Sequence, residues 1–113
     1  MKFGDIFLIR FPQTDLKNGK LRPALVVALA PGRYGDVLIA LISSRTYQAI
    51  PGFDEIIDSS DADFDSSGLK VSSVIRLARL ATVSSSIINA RLGSISNDRL
   101  MGIKQHLIHW LQS

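Results

Sequence analysis

Cysteine is missing from all 113 residues. Disulfide staples, thiolate metal sites and a cysteine nucleophile are excluded with it, and the composition fits a reducing cytoplasm. Long hydrophobic runs are missing too. The longest, "ALVVALA" and "VLIALI", fall far short of the roughly 20 residues a membrane helix needs, so no membrane role is expected. Asp5 and Arg10 interrupt the opening "MKFGDIFLIRF", and no small-residue cleavage site follows. It is not expected to act as a secretion signal. Metal ligands are scarce. His106 and His109 stand three residues apart, an incomplete metal set that reads as a polar helix face. "DADFDSS" from Asp61 spaces its acids like a calcium loop, but Ser66 replaces the glycine and Ser72 the bidentate glutamate. It reads as a solvated loop. No internal repeat occurs.

What is present describes one domain over 1–113. Apolar types make up 46% and charged types 20%, a composition that folds around a core. Mean hydropathy lies above zero, so apolar surface is expected to remain for a homodimer to cover. The net charge of +3 hides a segregation. Asp54, Glu55, Asp58, Asp61, Asp63 and Asp65 crowd one segment, leaving 13 basic against 4 acidic side chains elsewhere, a net of +9. Such a surface suits a polyanion, although a solvated surface with one acidic loop explains the charge as well.

Periodicity predicts strands at "DIFLIRF" (5–11), "ALVVALA" (24–30), "VLIALIS" (37–43), "LKVSSVIRLARLATV" (69–83) and "IINARLGSI" (87–95). A short strand is expected at "FDEII", and a bend in the long strand near Ser72 and Ser73. The runs 24–30 and 37–43 are apolar throughout, so both their faces should be covered. "PGRYGD" is the turn between them. One helix follows Ser96, its expected N-cap, with Leu100, Ile103, Leu107, Trp110 and Leu111 on the buried face. Arg99 stands where a capping box would place glutamate. Phe3, Phe7 and Phe11 alternate, and read as core or interface rather than as base-stacking platforms.

"RPALVV" joins a charge to a buried strand. Pro23 fixes its own backbone and pushes Arg22 into an extended conformation at the strand's mouth. Read alone, Arg22 only solvates a strand end. Together, however, "GDIFLIRF", the polar loop and "RPALVV", then "VLIALIS", "SSVIRLARLATV" and "RLGSISNDRL", resemble the MazF/PemK family of toxin endoribonucleases, in order and over nearly the whole chain. The resemblance implies a mostly-β fold, an SH3-like barrel with a C-terminal helix. It also implies a homodimer, cleavage of single-stranded RNA, an antitoxin partner and, through the antitoxin, contact with operator DNA. No cofactor is implied.

By this resemblance Arg22 and Arg76 are catalytic, gripping the scissile phosphate through planar guanidinium groups. Ser43 assists with its hydroxyl, and Ser44 is the alternative at that strand end. Lys17, Lys20, Ser44, Arg45 and Arg79 are the RNA-binding candidates. Bases would be read by "TDLKNGKL" and "SRTYQAIPG". Two features depart from relatives. Ala78 replaces an acidic residue expected two positions after Arg76, on the same strand face by period two. The loop before Arg22 has no histidine. The general acid and base are left open among Arg22, Asp15, Lys17 and Lys20. A barrel that binds nucleic acid or a protein without cleaving, as in the related CcdB toxins, is the alternative reading.

Overall fold

A computed structural model describes residues 1–10 and 20–113. Six strands form one antiparallel sheet: β1 (Asp5–Ile9), β2 (Arg22–Leu29), β3 (Asp36–Ser43), β4 (Glu55–Ile57), β5 (Ser73–Ser84) and β6 (Ile88–Ser94). Their order is β4-β5-β3-β2-β1-β6. Two helices accompany them, the one-turn α1 (Phe64–Ser67) and the long C-terminal α2 (Asn97–Gln112). The mostly-β expectation with a final helix holds. Among the described residues the ladder runs from β4 to β6 and does not close on itself. No described helix is long and apolar enough to cross a membrane.

The apolar runs behave as their two-sided burial requires. Leu25, Val27, Ala40 and Ile42 enter one core with Ile103 and Leu107 of α2. Ala24, Val26, Val37 and Ile39 enter a second core on the opposite face. Chain connectivity explains how the second face is covered. β5 and β6 lie four strand spacings apart, roughly 19 Å in a flat sheet. Only the 3-10 turn Ser85–Ile87 joins them, and it spans about half that distance. The sheet must curl, bringing Ile87 and Ile88 onto the second core.

β5 bends at a different place from the one expected. Its register with β3 jumps from Ala40↔Leu80 to Leu41↔Arg76, so Leu77, Ala78 and Arg79 form a bulge. Asp54 secures it by accepting the N–H groups of Leu77 and Ile50, both at 2.9 Å. The bulge also corrects the face assignment of Ala78, because period two does not carry across it.

Ser96 caps α2 as expected, its Oγ accepting the Arg99 N–H at 3.2 Å. The buried face of α2 is shorter than predicted. Leu111 is 78% exposed, because α2 runs past the core after Leu107. Trp110 lies edge-on to Phe53, ring centroids 5.2 Å apart. Of the two histidines expected on a polar helix face, His109 is exposed and His106 is half-buried, with Nδ1 2.6 Å from the Phe53 carbonyl oxygen. Phe7 packs against the second core, Phe3 is exposed beneath Lys104, and Phe11 lies outside the described residues.

The acidic segment is not a solvated loop. Asp63 is buried, and its carboxylate takes the Nε and Nη2 groups of Arg99 at 2.9 and 3.0 Å. Arg99 also reaches Asp61 at 2.9 Å, Glu55 at 3.3 Å and the Ile56 carbonyl at 2.8 Å. These bonds hold the Asp63 carboxyl down at about 2. Gly68 and Gly93 bring α1 against β6. A Cβ on Gly93 would strike the Ser66 carbonyl, and one on Gly68 the Leu92 carbonyl.

Candidate active site

Pro23 supplies no N–H, and the paired β2–β3 ladder begins one residue later at Ala24↔Leu41. Continuing that register by two residues sets Arg22 opposite Ser43. Arg22 is exposed at the first position of β2 and Ser43 half-buried at the last of β3. Both line a cavity of about 490 Å³ at this end of the sheet. Ser44 and Arg45 follow β3 into the same cavity, which Leu8 of β1, Leu92 of β6 and the Gly68–Val71 segment enclose.

The cavity's charge is one-sided. Among the described residues its lining contains Arg22, Arg45 and Lys70 but no aspartate or glutamate. Among the described residues, no protein group hydrogen-bonds to or pairs with these three side chains. Other cations are engaged: Arg99 by three carboxylates, Arg91 by Asp5 at 3.3 Å, Lys104 by the Phe3 ring at 4.5 Å. Asp5, Glu55, Asp61 and Asp63 are thus paired away from the cavity. Ser43 Oγ accepts the Arg45 N–H at 3.1 Å, which fixes the turn leaving β3 and leaves the hydroxyl proton free to donate.

Arg76 is set apart. It lies opposite Leu41, on the same sheet face as Arg22 and about 12 Å away between Cα atoms by sheet spacing. It does not line the cavity. Its Nη1 donates to Gln48 Oε1 at 3.2 Å, and its buried Nε has no partner. Arg79 is exposed on the bulge, outside the cavity, and Lys20 is exposed without lining it. Lys17 and Asp15 lie outside the described residues. Arg22, Ser43, Ser44 and Arg45 thus share one cavity, whereas Arg76 and Arg79 do not enter it. Among the described residues no group of three histidine, cysteine or acidic side chains could hold a metal ion.

A family model described as PemK-like, MazF-like toxin of type II toxin–antitoxin system matches residues 2–111. The chain belongs to this family. Several solved structures share its fold. An endoribonuclease from a mycobacterial species, in complex with its cognate antitoxin, superimposes with a TM-score of 0.70 at 12% identity, covering 99% of this chain and 95% of its own. Toxin MazF-mt6 of Mycobacterium tuberculosis gives 0.69 at 14%, covering 96% of each chain. MazF from Deinococcus radiodurans gives 0.65 at 23%, covering 97% and 94%. No curated protein matches the sequence.

Within this PemK/MazF-like chain, sequence reading missed Lys70 and Asp54, and it named Gln48 only as part of the segment "SRTYQAIPG", not as the partner of Arg76. Lys70 carried a readable signal, a lone cation directly after the acidic segment. Gln48 and Asp54 had none, since their partners lie 28 and 23 residues away.

Proposed function

We propose that this toxin is an endoribonuclease that cuts single-stranded RNA at selected sequences without a metal ion. The observation that carries this reading is the cavity at the β2–β3 end, where, among the described residues, Arg22, Arg45 and Lys70 meet no acid and the Ser43 hydroxyl stands beside them. Membership of a toxin family supports it, as does the fold shared with endoribonucleases. The substrate's own 2′-hydroxyl attacks the adjacent phosphorus. The bond to the 5′-oxygen breaks, and the proton lost from the 2′-oxygen is replaced on the leaving oxygen, giving a 2′,3′-cyclic phosphate and a 5′-hydroxyl. Arg22 holds two non-bridging oxygens and offsets the charge that develops on them. Ser43 donates to one of these oxygens. Arg76, held by Gln48 outside the cavity, meets the RNA further along the sheet, and Arg79 and Lys20 bind flanking RNA. Among the described residues neither a carboxylate nor an imidazole lines the cavity, so proton transfer falls to Arg22 or to the loop preceding it.

The protein acts in the cytoplasm as a homodimer, restrained by an antitoxin that also links it to operator DNA. Incubation of the purified protein with a long RNA, with and without EDTA, tests the activity. Discrete fragments in both reactions, absent with Arg22→Ala, are the expected result. RNA retained in a gel but never cut would instead favour a binding module, for which the missing acid–base pair speaks.

A further inference from the structure

Arginines are held in two ways in this fold. Arg99 and Arg91 are gripped by carboxylates, which answer their charge as well as their N–H groups. Arg76 is held by an amide. Its Nη1 donates to Gln48 Oε1 at 3.2 Å, and among the described residues no carboxylate pairs with it. Asp54 binds the amide of the very next residue, but both its oxygens are used: Oδ1 accepts the Leu77 N–H and Oδ2 the Ile50 N–H. A neutral acceptor fixes the direction of a guanidinium and leaves its positive charge to act on an anion. Stability alone does not select this placement, because Arg76 Nε is buried without a partner and an unpaired buried donor costs free energy.

Gln48 is itself braced. It ends the 3-10 turn Thr46–Gln48 after β3, its N–H bound to the Arg45 carbonyl at 2.9 Å. Two residues on, the Ile50 N–H enters the Asp54 carboxylate that also takes the Leu77 N–H. The contacts close a ring: Arg76 to Gln48, along the backbone to Ile50, through Asp54 to Leu77, and back to Arg76. α2 steadies the ring from outside, through His106 on the Phe53 carbonyl and Trp110 on the Phe53 ring. A long arginine side chain loses rotamer freedom when it binds an anion, and ordering it beforehand removes that cost. Resting on the reading that Arg76 meets the RNA, we propose that Gln48 is the positioning residue of Arg76, its amide oxygen aiming the guanidinium at an RNA phosphate without neutralising it.

Gln48→Glu separates this role from a structural one. The carboxylate has the amide's shape and holds Arg76 at least as strongly, so the variant should melt at or above the parent's temperature. It also neutralises Arg76. Its kcat/KM for RNA cleavage should fall about tenfold or more, the scale of a misplaced or lost contact to the reacting substrate. The salt dependence of its RNA affinity should lose about 0.7 in slope, the signature of one phosphate contact removed. Gln48→Ala should lower kcat/KM by a similar factor. Added to Arg76→Ala it should lower it no further, because both changes remove one device. Cut ends sequenced from a randomised RNA pool should stay those of the parent. A Gln48→Glu variant that cuts at the parent's rate, or melts below it, overturns the proposal. So does a Gln48→Ala effect that adds in full to that of Arg76→Ala or changes the cut sequence, since Gln48 would then touch RNA itself. In these cases the nuclease reading stands. If Arg76→Ala cuts like the parent, the proposal falls together with the place of Arg76 in that reading. If the parent cuts no RNA, the nuclease reading falls, and the same variants are compared by anisotropy for affinity to single-stranded RNA. Losses that do not add between Gln48→Ala and Arg76→Ala, with a weakened Gln48→Glu, uphold the positioning role. An affinity unchanged in Gln48→Glu overturns it.

Discussion

Arg22 keeps a full charge at the mouth of a strand where no described residue answers it. Such a charge contributes nothing to folding, so replacing it should separate activity from stability. Arg22→Ala is expected to lower RNA cleavage by about two orders of magnitude or more, the scale of one transition-state donor, with the melting temperature unchanged. Arg22→Lys should recover little, because an ammonium cannot form the two-pronged grip. Asp63 is the opposite kind of residue. Arg99 lowers its carboxyl to about 2, below its value in the unfolded chain. Its stabilising effect is therefore complete above about pH 4 and disappears as pH falls through about 2, and amounts to about 2 kcal/mol. Urea titrations of the parent and of Asp63→Asn at several pH values check this. The variant should be the less stable at neutral pH, and the gap should close in acid. Local chemistry at this scale was legible: Ser96 could be named as a cap because its partner is three residues away. The Arg99–Asp63 pair crosses 36 residues, and nothing in either neighbourhood announces the other. Arg99 therefore read as a failed capping box and Asp63 as part of a solvated loop.

Strands and helix were legible because their burial follows a local period. Continuous apolar character marked β2 and β3 as covered on both faces, and they fill two cores. The β5 bulge was not legible, since its cause is a carboxylate brought in by another element. Asp54→Ala should leave the Leu77 N–H without its partner and cost about 1–3 kcal/mol, read from denaturant midpoints. Arg76 lies beside that amide, so the same variant should also weaken RNA cleavage. The close approach of α1 to β6 gives another test at this scale. Gly93→Ala forces a Cβ into the Ser66 carbonyl and should destabilise by several kcal/mol, since backbone cannot move aside as a side-chain tip can. The end of the buried helix face was misread for a comparable reason. Periodicity extends to Leu111, but the sheet beneath stops first.

For the whole molecule, the segregation of charge was visible in the sequence, but its use was not. Composition counts an acidic segment; the fold shows three of its acids, Glu55, Asp61 and Asp63, occupied by Arg99 and none of the six lining the cavity. RNA affinity should accordingly fall with salt. The slope should lose about 0.7 for each phosphate contact removed, as expected for single strands. Comparing Arg22→Ala, Arg45→Ala and Lys70→Ala by fluorescence anisotropy across a salt series measures it. The cavity itself was out of reach of sequence reading, because its walls come from segments far apart in the chain.

That remoteness bears on how the toxin comes into being. β1 pairs with β6 through partners such as Ile9↔Ile88 and Asp5↔Ser94, and the cavity needs Leu8 from the first and Leu92 from the second. A chain still emerging from the ribosome has no such cavity until its ninety-second residue is free to fold back. Pairing over so long a separation is also among the slower steps of folding. Incomplete translation products therefore lack the site altogether, and a cell making this protein is exposed to its chemistry only from chains that are nearly finished.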